Sequence, residues 1–226
     1  GVSGPDLRSD VVRAKLPMGG REITAQHIRD ARIAALESFQ PQGREILHSA
    51  PLGFTVDSTA GIKDPRGMFA ETLTASYLVV SAPTAGLRNI VQCVSRAHLN
   101  PTAILAAPFA AGLACLVEDE AEQGAMVIDF GAGVTSAAAF SDGGLVHVET
   151  LPMGGSRATS DLAQGLGTTF AAAERMKTLH GAVGLSEVGA LEMVEAPRLG
   201  PDGRLEAYQC SRADIAQVLR PRIEEI

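Results

Sequence analysis

Apolar residues recur three and four apart in some stretches of this chain and cluster in short runs in others, and the switch between the two periods divides it into elements. Thr24 can cap a helix whose apolar positions Ile28, Ala31, Ala35, Leu36 and Phe39 share one face, and Gln40-Pro41-Gln42-Gly43 stops it. Pro83-Thr84 opens a second helix with Leu87, Ile90, Val91 and Val94 turned inward, and Pro108 stands in the first turn of a third that runs to Val117. Glu45 to Ala50, Leu73 to Ser81 and Thr102 to Ala107 read as strands, the second rich in Thr, Tyr and Val. Gly53 to Gly67 reads as a long connection.

Near the C-terminal end, Ser211 with Asp214 forms a capping-box start, and Ile215, Leu219, Ile223 and Ile226 form one stripe that Pro221 should kink or break. That stripe is still running at Ile226, and Gly1-Val2-Ser3-Gly4 reads as the end of a strand and its turn, so a fragment of a longer protein is expected. No internal repeat or low-complexity segment interrupts the pattern.

The chemistry concentrates in Met126 to Ser136, MVIDFGAGVTS, which reads as a buried strand, a tight glycine turn and a second strand. A backbone that approaches a phosphate closely needs residues with no side chain in the way, and Gly131 and Gly133 allow both close approach and positive φ. Asp129 ends the incoming strand, where a carboxylate can hold Mg²⁺ or its waters. Taken alone, the turn suits a plain hairpin equally well. Downstream, Val134 to Phe140 and Gly144 to Thr150 make two strands joined at Ser141-Asp142-Gly143-Gly144, a hairpin signal. Then follow LPMGGSRATSDLAQGL and AAAERMKTLHG; in the latter, Glu174 and Lys177 lie three apart on one face of a helix.

Composition narrows the field. The chain has 226 residues and a formal charge of −7, with a pI near 5.2, and no basic stripe that would neutralise nucleic-acid phosphates, so no nucleic-acid partner is expected. Cys93, Cys115 and Cys210 are far apart and form no C-x-x-C pair, which argues for small buried apolar residues over a disulfide framework or a zinc site. The five histidines lack metal-ligand spacing, and no G-x-S-x-G elbow accompanies the serines. No run approaches the roughly 18 apolar residues of a spanning helix.

In this order, VIDFGAGVTS, LPMGGSRATSDLAQGL and AERMK resemble the second phosphate loop, the following helix and the nucleoside helix of the actin-like ATPases. REILHSAPLGFTVDSTAGIKDPRGM is similar to the insertion that the bacterial division family FtsA carries and that actin and MreB lack at this position. The resemblance runs from about Val2 to Arg222. It implies an α/β fold, the actin-like ATPase (ribonuclease H-like) fold with an FtsA-type inserted subdomain 1C. The implied segments are 1–8 (end of a 1A strand), 9–98 (1C), 99–124 (1A), 125–181 (2A) and 182–226 (2B, truncated).

The resemblance further implies that Gly131, Ala132, Gly133 and Val134 give backbone N–H groups to the phosphates of ATP, that Glu174 and Lys177 reach the ribose and base, and that Asp129 organises Mg²⁺. For Glu174 and Lys177 the alternative is a solvated pair worth only about 0.2–0.5 kcal/mol. Ala132 stands in place of the middle glycine, Ser136 where many relatives have Asp, and Ala107 where MreB and the related chaperones place a catalytic Glu. A methyl group cannot orient an attacking water, so no catalytic residue is assigned, and slow turnover or nucleotide-dependent assembly is expected. The family's first phosphate loop and adenosine motif are not found in these residues, so this segment alone is expected to bind ATP–Mg weakly or not at all, and the full-length protein to bind it.

Implied partners are the acidic C-terminal tail of FtsZ, a second copy through 1C in a filament, other division proteins, and the inner face of the cell membrane through a C-terminal amphipathic helix beyond Ile226. Arg222, in RPRIEEI, matches a position the family uses for the FtsZ tail; a solvated helix charge explains it equally well. The alternative function is an actin-fold assembly adaptor like PilM of the type IV pilus machinery.

Overall fold

The computed structural model of the chain describes residues 2–184, 187–200, 202 and 204–226. Gly1, part of the expected N-terminal strand end, and a few positions in 182–226 lie outside the described residues. The chain forms two compact units, one of residues 1–129 and 136–150, the other of 130–135 and 151–226.

The first unit is built on β1 (Arg8–Glu22), α1 (Ala25–Glu37), β2 (Arg44–Val56), β3 (Thr59–Ile62) and β4 (Phe69–Pro83). These strands make an antiparallel sheet in the order β1-β4-β2-β3. Thr24 caps α1 and His27 returns the bond to the Thr24 N–H. Ala31 and Ala35 are fully buried, and their small side chains let the helix lie close to the sheet over Leu73, Ala75, Tyr77 and Val79. β4 is paired along both edges, and from Tyr77 to Ala82 it is also buried on both faces, because Tyr77 and Val79 join the cluster under α1 while Leu78, Val80 and Ala82 enter a second one. Leu78 and Val80 each contribute about 1.5–3 kcal/mol of transfer free energy, and Ala82 less.

The remaining elements of this unit are α2 (Thr84–Arg96), α3 (Ala107–Cys115), α4 (Glu118–Gln123), β5 (Ala125–Phe130), β6 (Thr135–Ser141) and β7 (Gly144–Leu151). The last three strands form a sheet in sequence order. Asp142 and Gly143 at the β6–β7 corner have φ of 55° and 74°, the paired positive values a two-residue hairpin needs.

Several expectations change. The strands at 45–50 and 73–81 are longer, and the connection at 53–67 holds the end of β2 and all of β3; Asp57, at φ 53°, turns that corner and accepts the N–H groups of Glu71 and Thr72. No strand forms at 102–107, where a single parallel bridge joins Val2 to Ala106. The strand at 126–130 is not buried on both faces, because Met126, Ile128 and Phe130 are 64%, 52% and 66% exposed. On α2 only Leu87 is buried, and Ile90 is exposed.

In the second unit, α5 (Gly155–Leu166) and α6 (Phe170–His180) precede α7 (Glu187–Ala190), β8 (Met193–Glu195), β9 (Arg198–Leu199), β10 (Leu205–Glu206), β11 (Gln209–Ser211) and α8 (Arg212–Glu225). Leu162, Ala173, Met176, Ile215 and Leu219 join the three long helices in one core. Ser211 and Asp214 form the capping box. Pro221 does not end α8, which runs on to Glu225.

Candidate functional site

The turn between β5 and β6 is locked to the start of α5. Gly131 N–H donates to Val134 O (3.0 Å), closing the turn, while Gly131 O accepts from Gly155 N–H (3.0 Å) and Ala132 O from Ser156 N–H (2.8 Å). The first amides of a helix have no partner inside it, and here two of them are satisfied by the turn's carbonyls. Thr135 adds a hydroxyl bond to Met153 O at 2.8 Å. Gly131's N–H is thereby committed, which leaves the amides of Ala132, Gly133 and Val134 to offer to an anion.

Neither Gly131 nor Gly133 adopts a positive φ, so Gly131 is required by space and not by backbone conformation. A Cβ on Gly131 would meet Val134 O at 2.7 Å, and one on Gly154 would meet Gly131 O at 2.4 Å and Ala132 O at 2.8 Å; at Gly133 nothing lies within 4 Å. Gly154 is a residue the sequence reading passed over, although the doubled glycine of PMGGS marks a close backbone approach.

Behind the turn sits a polar cluster. Lys177 Nζ donates to Gly155 O (3.1 Å), Thr159 Oγ1 (2.7 Å) and Glu174 Oε2 (2.7 Å). An ammonium has three N–H groups, and these three acceptors use them all. Thr159, fully buried, also bonds Glu174 Oε2 and lies 3.0 Å from Gly155 O. Lys177 first and then Thr159 hold the Glu174 carboxyl below the ordinary glutamate range. The expected pairing of Glu174 with Lys177 is present, but Lys177 is turned toward α5, and Thr159 was not foreseen.

Asp129 is half-buried on β5, in the first unit. Among the described residues no three His, Cys, Asp or Glu side chains gather into a metal site. Arg222 is not a free charge: Nε donates to Asp161 Oδ2 at 2.5 Å and Nη2 to Asp161 Oδ1 at 3.3 Å, and Nη1 bonds Glu225. Asp161 on α5 first, with Glu225, raises the guanidinium pKa. No helix among the described residues is long and apolar enough to cross a membrane.

The family described as "SHS2 domain inserted in FTSA" matches residues 4–81, and that described as "Cell division protein FtsA" matches 126–220. The cell division protein FtsA of Agrobacterium fabrum is 40% identical over 224 residues, covering 99% of this chain and 51% of the relative. That of Escherichia coli K12 is 31% identical over 225 residues, covering 100% and 53%. The chain thus spans about half the length of the curated relatives it matches. Among solved structures, the PilM-PilN type IV pilus biogenesis complex superposes with a TM-score of 0.52 at 20% identity, over 77% of this chain and 48% of that one, a likeness of fold. The fold is the α/β actin-like fold with an inserted SHS2 subdomain, and with two descriptions of one family matching successive parts of its length, the chain belongs to the FtsA family of cell division proteins.

Proposed function

We propose that this chain is the part of an FtsA-type division protein that holds the phosphates and ribose of ATP, and that the whole protein polymerises and links FtsZ filaments to the cytoplasmic membrane. The observation that carries the reading is the clamp of Gly155 and Ser156 on the carbonyls of Gly131 and Ala132, together with the lack of room for a side chain at Gly154. A backbone drawn that tightly onto a helix start, beside three amides that find no acceptor among the described residues, fits a phosphate.

In this reading the amides of Ala132, Gly133 and Val134 bind the phosphates, Glu174 binds the ribose, and Lys177 braces the first turn of α5. Asp129 supplies one carboxylate to Mg²⁺, whose other ligands come from phosphate and water. The nucleotide chemistry is slow, because Ala107 offers no carboxylate to orient water. The five-segment subdomain division and the use of 1C as an interaction module belong to the same proposal. So does docking of an acidic FtsZ tail on 2B, in a groove of about 440 Å³ that includes Val183, Ala213, Gln217 and Pro221, with Arg220 and Glu224 as its charged residues.

Titration calorimetry of ATP–Mg on the full-length protein tests the reading. Saturable binding that Gly133→Ala weakens at least about tenfold is expected; undiminished binding in that variant removes the turn from the site.

A further inference from the structure

We propose that Thr159 is the positioning residue of the nucleoside site, fixing Glu174 so that one carboxylate oxygen is reserved for a ribose hydroxyl. The inference rests on the nucleotide reading above and concerns a residue which that reading does not use.

Oε2 of Glu174 takes both internal bonds, one from Lys177 Nζ at 2.7 Å and one from Thr159 Oγ1. Oε1 takes none from the described residues, and the side chain is 46% exposed. An ionised carboxylate has about four acceptor sites, so pinning one oxygen by two donors orients the other without using it. Thr159 is suited to this because it is rigid and buried: as a β-branched residue on a helix it has few rotamers, and it is 0% exposed. Its hydroxyl has one proton and two acceptors within reach, Gly155 O at 3.0 Å and Glu174 Oε2. The charged oxygen is the stronger acceptor, so the proton goes to Glu174 while the hydroxyl's lone pair takes Lys177 at 2.7 Å.

The same network reaches the phosphate side. Lys177 also holds Gly155 O at 3.1 Å, and the N–H of Gly155 holds Gly131 O. Thr159 therefore stands where the ribose-binding carboxylate and the phosphate turn share one brace, and a lost hydroxyl frees Glu174 to rotate while the backbone bonds of the turn persist.

The test is equilibrium binding to the full-length protein of ATP and of 2′,3′-dideoxy-ATP, which lacks the ribose hydroxyls. The wild type is expected to favour ATP at least about tenfold, the worth of a hydrogen bond to a charged acceptor. Thr159→Val, equal in shape but without the hydroxyl, is expected to bind the two nucleotides alike, with dideoxy-ATP affinity changed less than about twofold. Thr159→Ser is expected to restore the preference. Glu174→Gln, which leaves Thr159 in place, provides a second measurement should the valine variant not fold, and is expected to lose the preference as well.

A Thr159→Val protein with a wild-type ratio, or one weakened equally for both nucleotides, overturns the proposal, as does a wild-type ratio in Glu174→Gln. A wild type that binds ATP and dideoxy-ATP alike overturns it together with the ribose contact of Glu174, while leaving the phosphate turn standing. A wild type that binds neither overturns both.

Discussion

Arg222 on α8 and Asp161 on α5 meet through two parallel hydrogen bonds, Nε to Oδ2 at 2.5 Å and Nη2 to Oδ1 at 3.3 Å. The side chains are 25% and 30% exposed, so the pair is less screened than a surface bridge and its loss leaves a partly desolvated charge. Arg222→Glu would place a third carboxylate beside Asp161 and Glu225. We expect it to lower the urea midpoint of the full-length protein, and Asp161→Ala to lower it by less. A double-mutant cycle on Arg222→Ala and Asp161→Ala should show the two side chains coupled, the double variant losing less than the sum of the single losses. If Arg222 also serves an acidic FtsZ tail, Arg222→Glu weakens peptide binding beyond what Asp161→Ala does. Equal peptide affinities in these two variants would confine Arg222 to a structural part.

Gly154 and Gly133 separate packing from binding. At Gly154 an added Cβ strikes Gly131 O at 2.4 Å, whereas at Gly133 it enters open space. Gly154→Ala is expected to lower thermal stability, by about 2 kcal/mol or more, because backbone on both sides must shift. Gly133→Ala should unfold at the wild-type temperature and lose ATP affinity. Calorimetric unfolding of the two variants without nucleotide checks the contrast; equal melting temperatures would refute it.

How much of this was legible in advance follows the physics of each signal. The capped helix at Thr24 and the corner at Asp142-Gly143 are set by local chemistry, so short-range patterns reveal them. Val12, Ala14, Leu16 and Met18 alternate inward along β1 with Arg13 and Lys15 between them, the period of a half-buried strand; Pro17 and Gly19-Gly20 read as breakers and hide it, and they fall where its pairing with β4 is irregular. The strand expected at 102–107 failed because its residues find one bridge, at Ala106, and no ladder. Glu174 and Lys177 were legible as an i,i+3 pair. Thr159 was not, since it lies 15 residues before Glu174 and only the packing of α5 on α6 brings them together. Asp161 likewise meets Arg222 across 61 residues.

Acid should act through His48 before it acts through Glu174. Nε2 of His48 accepts the N–H of Ala106 at 2.8 Å, its ring lies 4.6 Å from that of Phe109, and burial holds its pKa below the ordinary imidazole value of 6.5. With the folded pKa depressed, the contribution to stability is full above the unfolded value and declines as pH falls from about 6.5 toward the folded one. Glu174 is also depressed, so its contribution is full above the ordinary glutamate range and disappears as pH falls through and below it. Urea midpoints taken from pH 7.5 to 3.5 should therefore fall in two stages. His48→Gln is expected to flatten the upper one and Glu174→Gln the lower. An unchanged upper stage in His48→Gln would assign that titration elsewhere.

The filament reading can be tried on the inserted sheet itself. Removing residues 9–98 is a blunt test, because Leu78, Val80 and Ala82 of β4 share a core cluster with Phe140 and Val148, and their loss would uncover apolar surface on β6 and β7. Single charges on exposed apolar positions are cleaner. Phe69 at the start of β4 is 70% exposed and Ile33 on α1 is 54% exposed, so Phe69→Asp and Ile33→Asp should change stability by no more than about 0.5 kcal/mol. Neither residue belongs to the phosphate turn or the Thr159 cluster, so ATP affinity should stay at the wild-type value. A head-to-tail contact is heterologous and repeats at every subunit, so one charge placed in it is multiplied along the polymer. At least one of the two variants, made in the full-length protein, is therefore expected to form no filaments in electron micrographs while binding ATP normally. If both assemble with the wild-type subunit spacing, these surfaces of the insertion lie outside the polymer contact, and an adaptor role for the insertion gains ground.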